Sequence, residues 1–158
     1  MTKKRVLFVC THNSARSQMA EAMVNAWAPD TFEAFSAGTE ATFIRPETIA
    51  VMAEIGLDLA GHRSKSIDEF RGQPFQWFVT VCSDAEERCP VLPGVENIAH
   101  WNIEDPSRTT GNPEAQLERF RAARDLVRDR VHIFLRAAGR DDLPTPQTAT
   151  KGLPRCCR

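Results

Sequence analysis

Short apolar runs alternate along this chain with stretches of helical periodicity. The first run, Val6-Leu7-Phe8-Val9 within residues 5–10, is continuous rather than alternating, the pattern of a strand covered on both faces of a parallel sheet. From 17 to 28 the period lengthens: Met19, Met23, Ala26 and Trp27 recur at helical spacing, Gln18, Glu21 and Asn25 take the polar positions, and Pro29 ends the helix. Residues 31–36 alternate as a second strand around Phe32 and Phe35, and Ala37-Gly38 is expected to turn out of it. Pro46 opens a short helix with an apolar stripe of Ile49, Met52 and Ala53, closed by Gly56. After a polar stretch over 62–66, residues 77–82 form a third buried strand and 98–101 a shorter fourth. The longest helix covers 114–138, with Leu117, Phe120, Ala123, Val127, Val131 and Phe134 on one face. Its arginines 119, 121, 124, 128, 130 and 136 are mixed with acids and read as a solvated outer face.

Strands alternating with helices predict an α/β domain with a parallel sheet. Periodicity stops after 138, so the division is a domain over 1–138 and a tail over 139–158 rich in Pro and Thr. The length of 158 residues suits that single domain. Twenty basic residues against twenty-one acidic ones argue against a general binder of nucleic acid or membrane. No apolar run approaches the roughly 18 residues of a membrane span, and the short N-terminal run does not make a signal peptide, so a cytoplasmic protein is expected. Five cysteines, at 10, 82, 89, 156 and 157, form no static disulfide framework in a reducing compartment. Metal binding, catalysis and redox exchange remain open to them. A zinc site fits poorly, because the Cys82/Cys89 spacing matches no common finger and Cys156-Cys157 are adjacent.

The candidate chemistry lies in Cys10-Thr11-His12-Asn13-Ser14-Ala15-Arg16-Ser17, where the first strand hands over to the first helix. Ligands of parallel sheets bind beyond the carboxyl ends of strands. The N–H groups of Thr11, His12, Asn13, Ser14, Ala15 and Arg16 can wrap an anion at the helix N-terminus, and the Arg16 fork can hold two oxygens of a tetrahedral oxyanion. The positive field at the base of such a loop favours the thiolate of Cys10, and Ser17 is placed to donate a hydrogen bond to it. An inert thiol at a strand end is the alternative for Cys10. The C-x5-R-S pattern between strand and helix favours the nucleophile.

These residues resemble the low-molecular-weight protein tyrosine phosphatase superfamily, and in particular its thioredoxin-coupled arsenate reductases. The likeness spans about 4–138 and includes Ser36-Ala37-Gly38, Val81-Cys82-Ser83-Asp84-Ala85, Cys89-Pro90, His100-Trp101 and Asp105-Pro106. It implies a four-stranded parallel sheet in the order 2-1-3-4 within a three-layer domain. It also implies arsenate as substrate, no bound cofactor and an external dithiol such as thioredoxin as reductant; no surface stripe forces a dimer, so a monomer is expected. The chemistry implied has Cys10 attacking arsenate with Asp105 as general acid, Cys82 then attacking Cys10 as arsenite leaves, and Cys89 closing a Cys82–Cys89 disulfide. Residues 83–88 are fair helix formers; in a helix the two cysteines would stand about 10 Å apart, beyond the roughly 7 Å a disulfide spans, so oxidation is expected to unwind the segment. The chain contains no tyrosine, and Ser107-Arg108 follow Asp105-Pro106 where the phosphatases usually carry tyrosines.

Some relatives bind potassium beside the loop, and the resemblance maps that site onto Asn13, Glu21 and Ser36. Lys65 stands here at a position usually aspartate, so its ammonium is expected to displace the ion and no metal is expected. Loop packing is expected for His12, structural or exposed positions for His62 and His132, and support of the acid loop for His100.

Overall fold

Strand β1 (Lys4–Cys10) lies at the centre of a four-stranded parallel sheet ordered β2-β1-β3-β4. Its partners are β2 (Phe32–Gly38) and β3 (Trp77–Cys82), with β4 (Asn97–Asn102) at the edge. The expected order 2-1-3-4 is the observed one. The computed structural model describes residues 3–83, 92–107 and 111–139. Cys89, the 84–88 segment, Arg108, Cys156 and Cys157 lie outside the described residues.

Side-chain alternation along β1 divides the core. Val6 and Phe8 face α1 (Arg16–Trp27), α2 (Pro46–Ala53) and α3 (Pro113–Ala137), which share one side of the sheet. Leu7 and Val9 face a smaller cluster of Ile67, Phe70, Phe75, Phe78 and Leu92, closed by a 3-10 turn over Ile67–Phe70. Phe134 of α3 packs on Phe32 and Trp77, the first residues of β2 and β3, with centroids 5.1 and 5.4 Å away. α3 therefore runs back from the carboxyl ends of the strands to their amino ends. Asn112 caps it by accepting from the Ala115 N–H at 2.8 Å.

Four expectations from periodicity are corrected. Gly38 does not turn out of β2 but pairs with Cys10. Gln18 and Glu21 of α1 are buried, whereas Ala26 is exposed, because the polar positions face the functional site rather than solvent. α2 buries Thr48, Val51 and Met52 and leaves Ile49 exposed. Arg124 and Arg128 are buried too, against the expected outer face: Arg124 donates to the Val51 carbonyl at 2.8 Å and to Glu54 at 2.7 Å, tying α3 to α2.

Candidate active site

Residues 11–15 leave β1 and enter α1 with their carbonyl groups turned outward. The Thr11 carbonyl accepts from Glu40 N–H at 2.9 Å and that of His12 from Ser64 Oγ at 2.9 Å. Ser14 accepts from Thr48 Oγ1 at 2.9 Å and from Arg45 N–H at 3.1 Å. The Thr11, His12 and Ser14 carbonyls are thus held by surrounding elements, which fixes the path of the loop from β1 into α1. Ala15 at the N-cap of α1 has no side chain to cap the first turn, so an oxyanion is a natural acceptor there. Asn13 adopts φ 52°, a left-handed conformation that asparagine tolerates. Gly38 sits beneath: a Cβ there would come within 2.6 Å of the Thr11 carbonyl oxygen and 2.8 Å of Asn13 N.

Cys10 is a buried free thiol whose Sγ lies 2.9 Å from Ser17 Oγ. Asn13 Nδ2 donates to the same hydroxyl oxygen at 2.7 Å. The orientation of the Asn13 amide is set from behind: its Oδ1 accepts from Gln18 Nε2 and from the Lys65 N–H, both at 2.8 Å. Since Ser17 Oγ accepts from Asn13, its own proton is free to point at Cys10, where it favours a negatively charged sulfur.

Arg16 is buried and donates to the Ile103 carbonyl at 2.9 Å, and its other terminal nitrogen stands 3.7 Å from Asp105 Oδ2. Asp105 Oδ1 accepts from the Ser107 N–H at 2.9 Å and the Ser107 hydroxyl at 2.7 Å, which fixes the acid loop. Loop, arginine and carboxyl thus meet at the carboxyl ends of β1 and β4. Cys82 closes β3 beside them, its Sγ 3.8 Å from the Val9 carbonyl oxygen. It is disulfide-bonded, and since Cys10 is free, its partner lies outside the described residues. The register pairs Val9 with Thr80, so alternation turns Cys82 to the face opposite Cys10.

A polar layer that periodicity did not reveal supports the loop. Glu21 is held by His62 at 3.1 Å and faced by Lys65 Nζ at 3.8 Å, which also donates to Ser36 Oγ at 3.5 Å and the Arg63 carbonyl at 3.1 Å. The ammonium stands among groups onto which the potassium site was mapped. Burial pushes the Lys65 pKa down while Glu21 pulls it up, leaving it below the ordinary lysine value. The signal for this layer was the polar run 62–66, which had no place in the helix–strand pattern. His12 packs in the loop with neither ring nitrogen partnered among the described residues. His132 is buried, and His100 bonds Thr80 at 2.6 Å. Among the described residues no group of three or more His, Cys, Asp or Glu could hold a metal ion, and no helix is long and apolar enough to cross a membrane.

Against known proteins, a family profile described as low molecular weight phosphotyrosine protein phosphatase matches residues 5–143. An arsenate reductase of Halalkalibacterium halodurans is 37% identical over 134 residues, 85% of this chain and 96% of that protein. A solved arsenate reductase in the phosphate binding state superposes with a TM-score of 0.71 at 32% identity, over 85% of this chain and 98% of that one. Another, in the oxidized state, gives 0.72 at 30% identity with the same coverage.

Proposed function

The chain belongs to the low molecular weight phosphotyrosine protein phosphatase family, and we propose that within it the protein reduces arsenate to arsenite for detoxification. The observation that carries this reading is the pairing of a free Cys10 in the anion loop with a disulfide-bonded Cys82 at the end of the neighbouring strand. A hydrolase needs only the first of these. The similarity to arsenate reductases over most of the chain points the same way.

Arsenate binds to the loop N–H groups of Thr11, His12, Asn13, Ser14, Ala15 and Ser17 and to the Arg16 fork. The Cys10 thiolate forms a bond to arsenic, and the departing oxygen takes a proton from Asp105 and leaves as water. The Cys82 thiolate then attacks Cys10 Sγ: a sulfur–sulfur bond forms, the sulfur–arsenic bond breaks, and arsenic keeps the electron pair as arsenite. Because Cys82 faces away from Cys10 in the disulfide-bonded state, the end of β3 must turn for this step. Cys89 displaces Cys10 from Cys82, and an external dithiol protein, thioredoxin, reduces the Cys82–Cys89 disulfide. Slow hydrolysis of small aryl phosphates would follow from Cys10, Arg16 and Asp105 alone. Fully reduced protein given arsenate without any reductant tests the reading: it should yield one arsenite per chain and lose two thiols. Release of no arsenite, with turnover of p-nitrophenyl phosphate, would make it a phosphatase.

A further inference from the structure

Cys82 is 1% exposed, and its Sγ lies 3.8 Å from the Val9 carbonyl oxygen. Burial and a carbonyl oxygen both disfavour negative charge on a sulfur. A sulfur so enclosed offers an incoming thiolate no face. A reductant therefore attacks the other sulfur of the disulfide, and the electron pair of the broken bond goes to Cys82. That step calls for a proton where bulk water does not reach.

A titratable side chain is placed to bring it. The parallel register pairs Thr80 with His100 and Cys82 with Asn102. Alternation therefore puts Thr80, Cys82 and His100 on one face of the sheet, the face away from Cys10. Thr80, the polar residue in an otherwise apolar buried run, has its Oγ1 2.6 Å from His100 Nδ1. That bond draws the imidazole from edge strand β4 across to β3, one pleat before Cys82. Diagonal neighbours on adjacent strands stand about 7–8 Å apart, within reach of a ring side chain. With Nδ1 engaged on Thr80, Nε2 is the position from which a proton can be handed on. His100 is exposed, whereas Thr80 and Cys82 are buried, so the ring connects solvent to the enclosed sulfur.

We propose that His100 gives Cys82 Sγ its proton when the disulfide is reduced. The inference deepens the arsenate reductase reading, in which an external dithiol acts at this bond. One thiolate of that dithiol forms a bond to the partner sulfur, and the bond between that sulfur and Cys82 breaks. Cys82 Sγ keeps the electron pair and takes the proton from the imidazolium. The second thiol of the dithiol then closes its own disulfide and frees the partner thiol, so the dithiol loses two electrons and the chain's disulfide gains them. The neutral ring regains its proton from solvent, which its exposed position allows.

The test uses full-length, disulfide-bonded protein carrying Cys10→Ser, Cys156→Ser and Cys157→Ser, reduced by dithiothreitol at fixed pH and followed by thiol count after acid quench. Adding His100→Gln keeps an amide to bond Thr80 but leaves nothing to hand over a proton. Reduction should then be about tenfold slower, less than the usual effect of a general acid because a thiolate leaves readily. His100→Ala should be slowed to the same degree and recover most of its rate in imidazole buffer, which should not change the rate of the protein with His100 intact. An unchanged rate in His100→Gln overturns the proposal. So does a His100→Ala rate that imidazole does not restore, since His100 would then only tie β4 to β3. Should His100→Gln fail to fold, the response of His100→Ala to imidazole decides. No arsenate enters this measurement, so failure of the reductase reading shows separately, as absence of arsenite from reduced wild type given arsenate.

Discussion

Ser17 Oγ stands 2.9 Å from Cys10 Sγ and 2.7 Å from Asn13 Nδ2, and because the amide nitrogen only donates, the serine proton is left available to the sulfur. A hydrogen bond to a charged group contributes about 1.5–3 kcal/mol. Ser17→Ala should accordingly slow alkylation of Cys10 by iodoacetamide at neutral pH by about 10- to 100-fold. An unchanged rate would remove Ser17 from this role.

Gly38 is the floor of the loop. A methyl group at 2.6–2.9 Å from the backbone of Thr11, His12 and Asn13 forces the loop away from β2. Gly38→Ala should cost about 1–3 kcal/mol of stability, as overpacking does, and should weaken phosphate and arsenate binding by tenfold or more. Calorimetric titration with phosphate on the folded variant reads the second effect separately from the first.

Lys65 supplies a positive charge beside Glu21 and Ser36, at 3.8 and 3.5 Å. Activity should be the same in potassium and sodium salts at equal ionic strength. Lys65→Asp should introduce a several-fold stimulation by potassium, because a second carboxylate then faces Glu21 without a cation. Strong stimulation of the wild type would contradict this assignment.

His132 is buried against Trp27, ring centroids 5.0 Å apart, with neither nitrogen bonded among the described residues. Burial above all, then Arg128 and Arg136, lowers its pKa, against an opposing pull from Asp129. The unfolded chain binds this proton more readily, so the stability conferred by the neutral ring is complete above a pH of about 6.5 and falls as the pH drops toward the lower folded value. The slope contributed is at most about 1.4 kcal/mol per pH unit. Urea melts at pH 7.5 and 5.5 should show a smaller loss for His132→Leu than for wild type.

The sheet and the candidate loop were legible because their signals are local. Continuous apolar runs mark β1 and β3, and C-x5-R between strand and helix marks the loop. What periodicity did not show was the polar support, of which only the family resemblance placed Asn13, Glu21, Ser36 and Lys65 together. Gln18, Glu21 and Asn25 look like a solvent face on periodicity alone, yet Gln18 and Glu21 are buried because His62, Arg63 and Lys65 fold over them from far along the chain. Arg124 and Arg128 likewise look solvated until α2 brings the Val51 carbonyl and Glu54 to Arg124, and Asp125 turns to Arg128 at 3.4 Å. Long-range polar contacts leave no period to read.

Arsenate-dependent oxidation of NADPH, coupled through thioredoxin and thioredoxin reductase, tests the central claim most directly when wild type is compared with Cys10→Ser, Cys82→Ser and Cys89→Ser. The account predicts steady turnover by wild type and none by any of the three variants. Continued cycling by Cys89→Ser would show that an external thiol closes the reaction, and an inactive wild type that still hydrolyses p-nitrophenyl phosphate would contradict the account altogether.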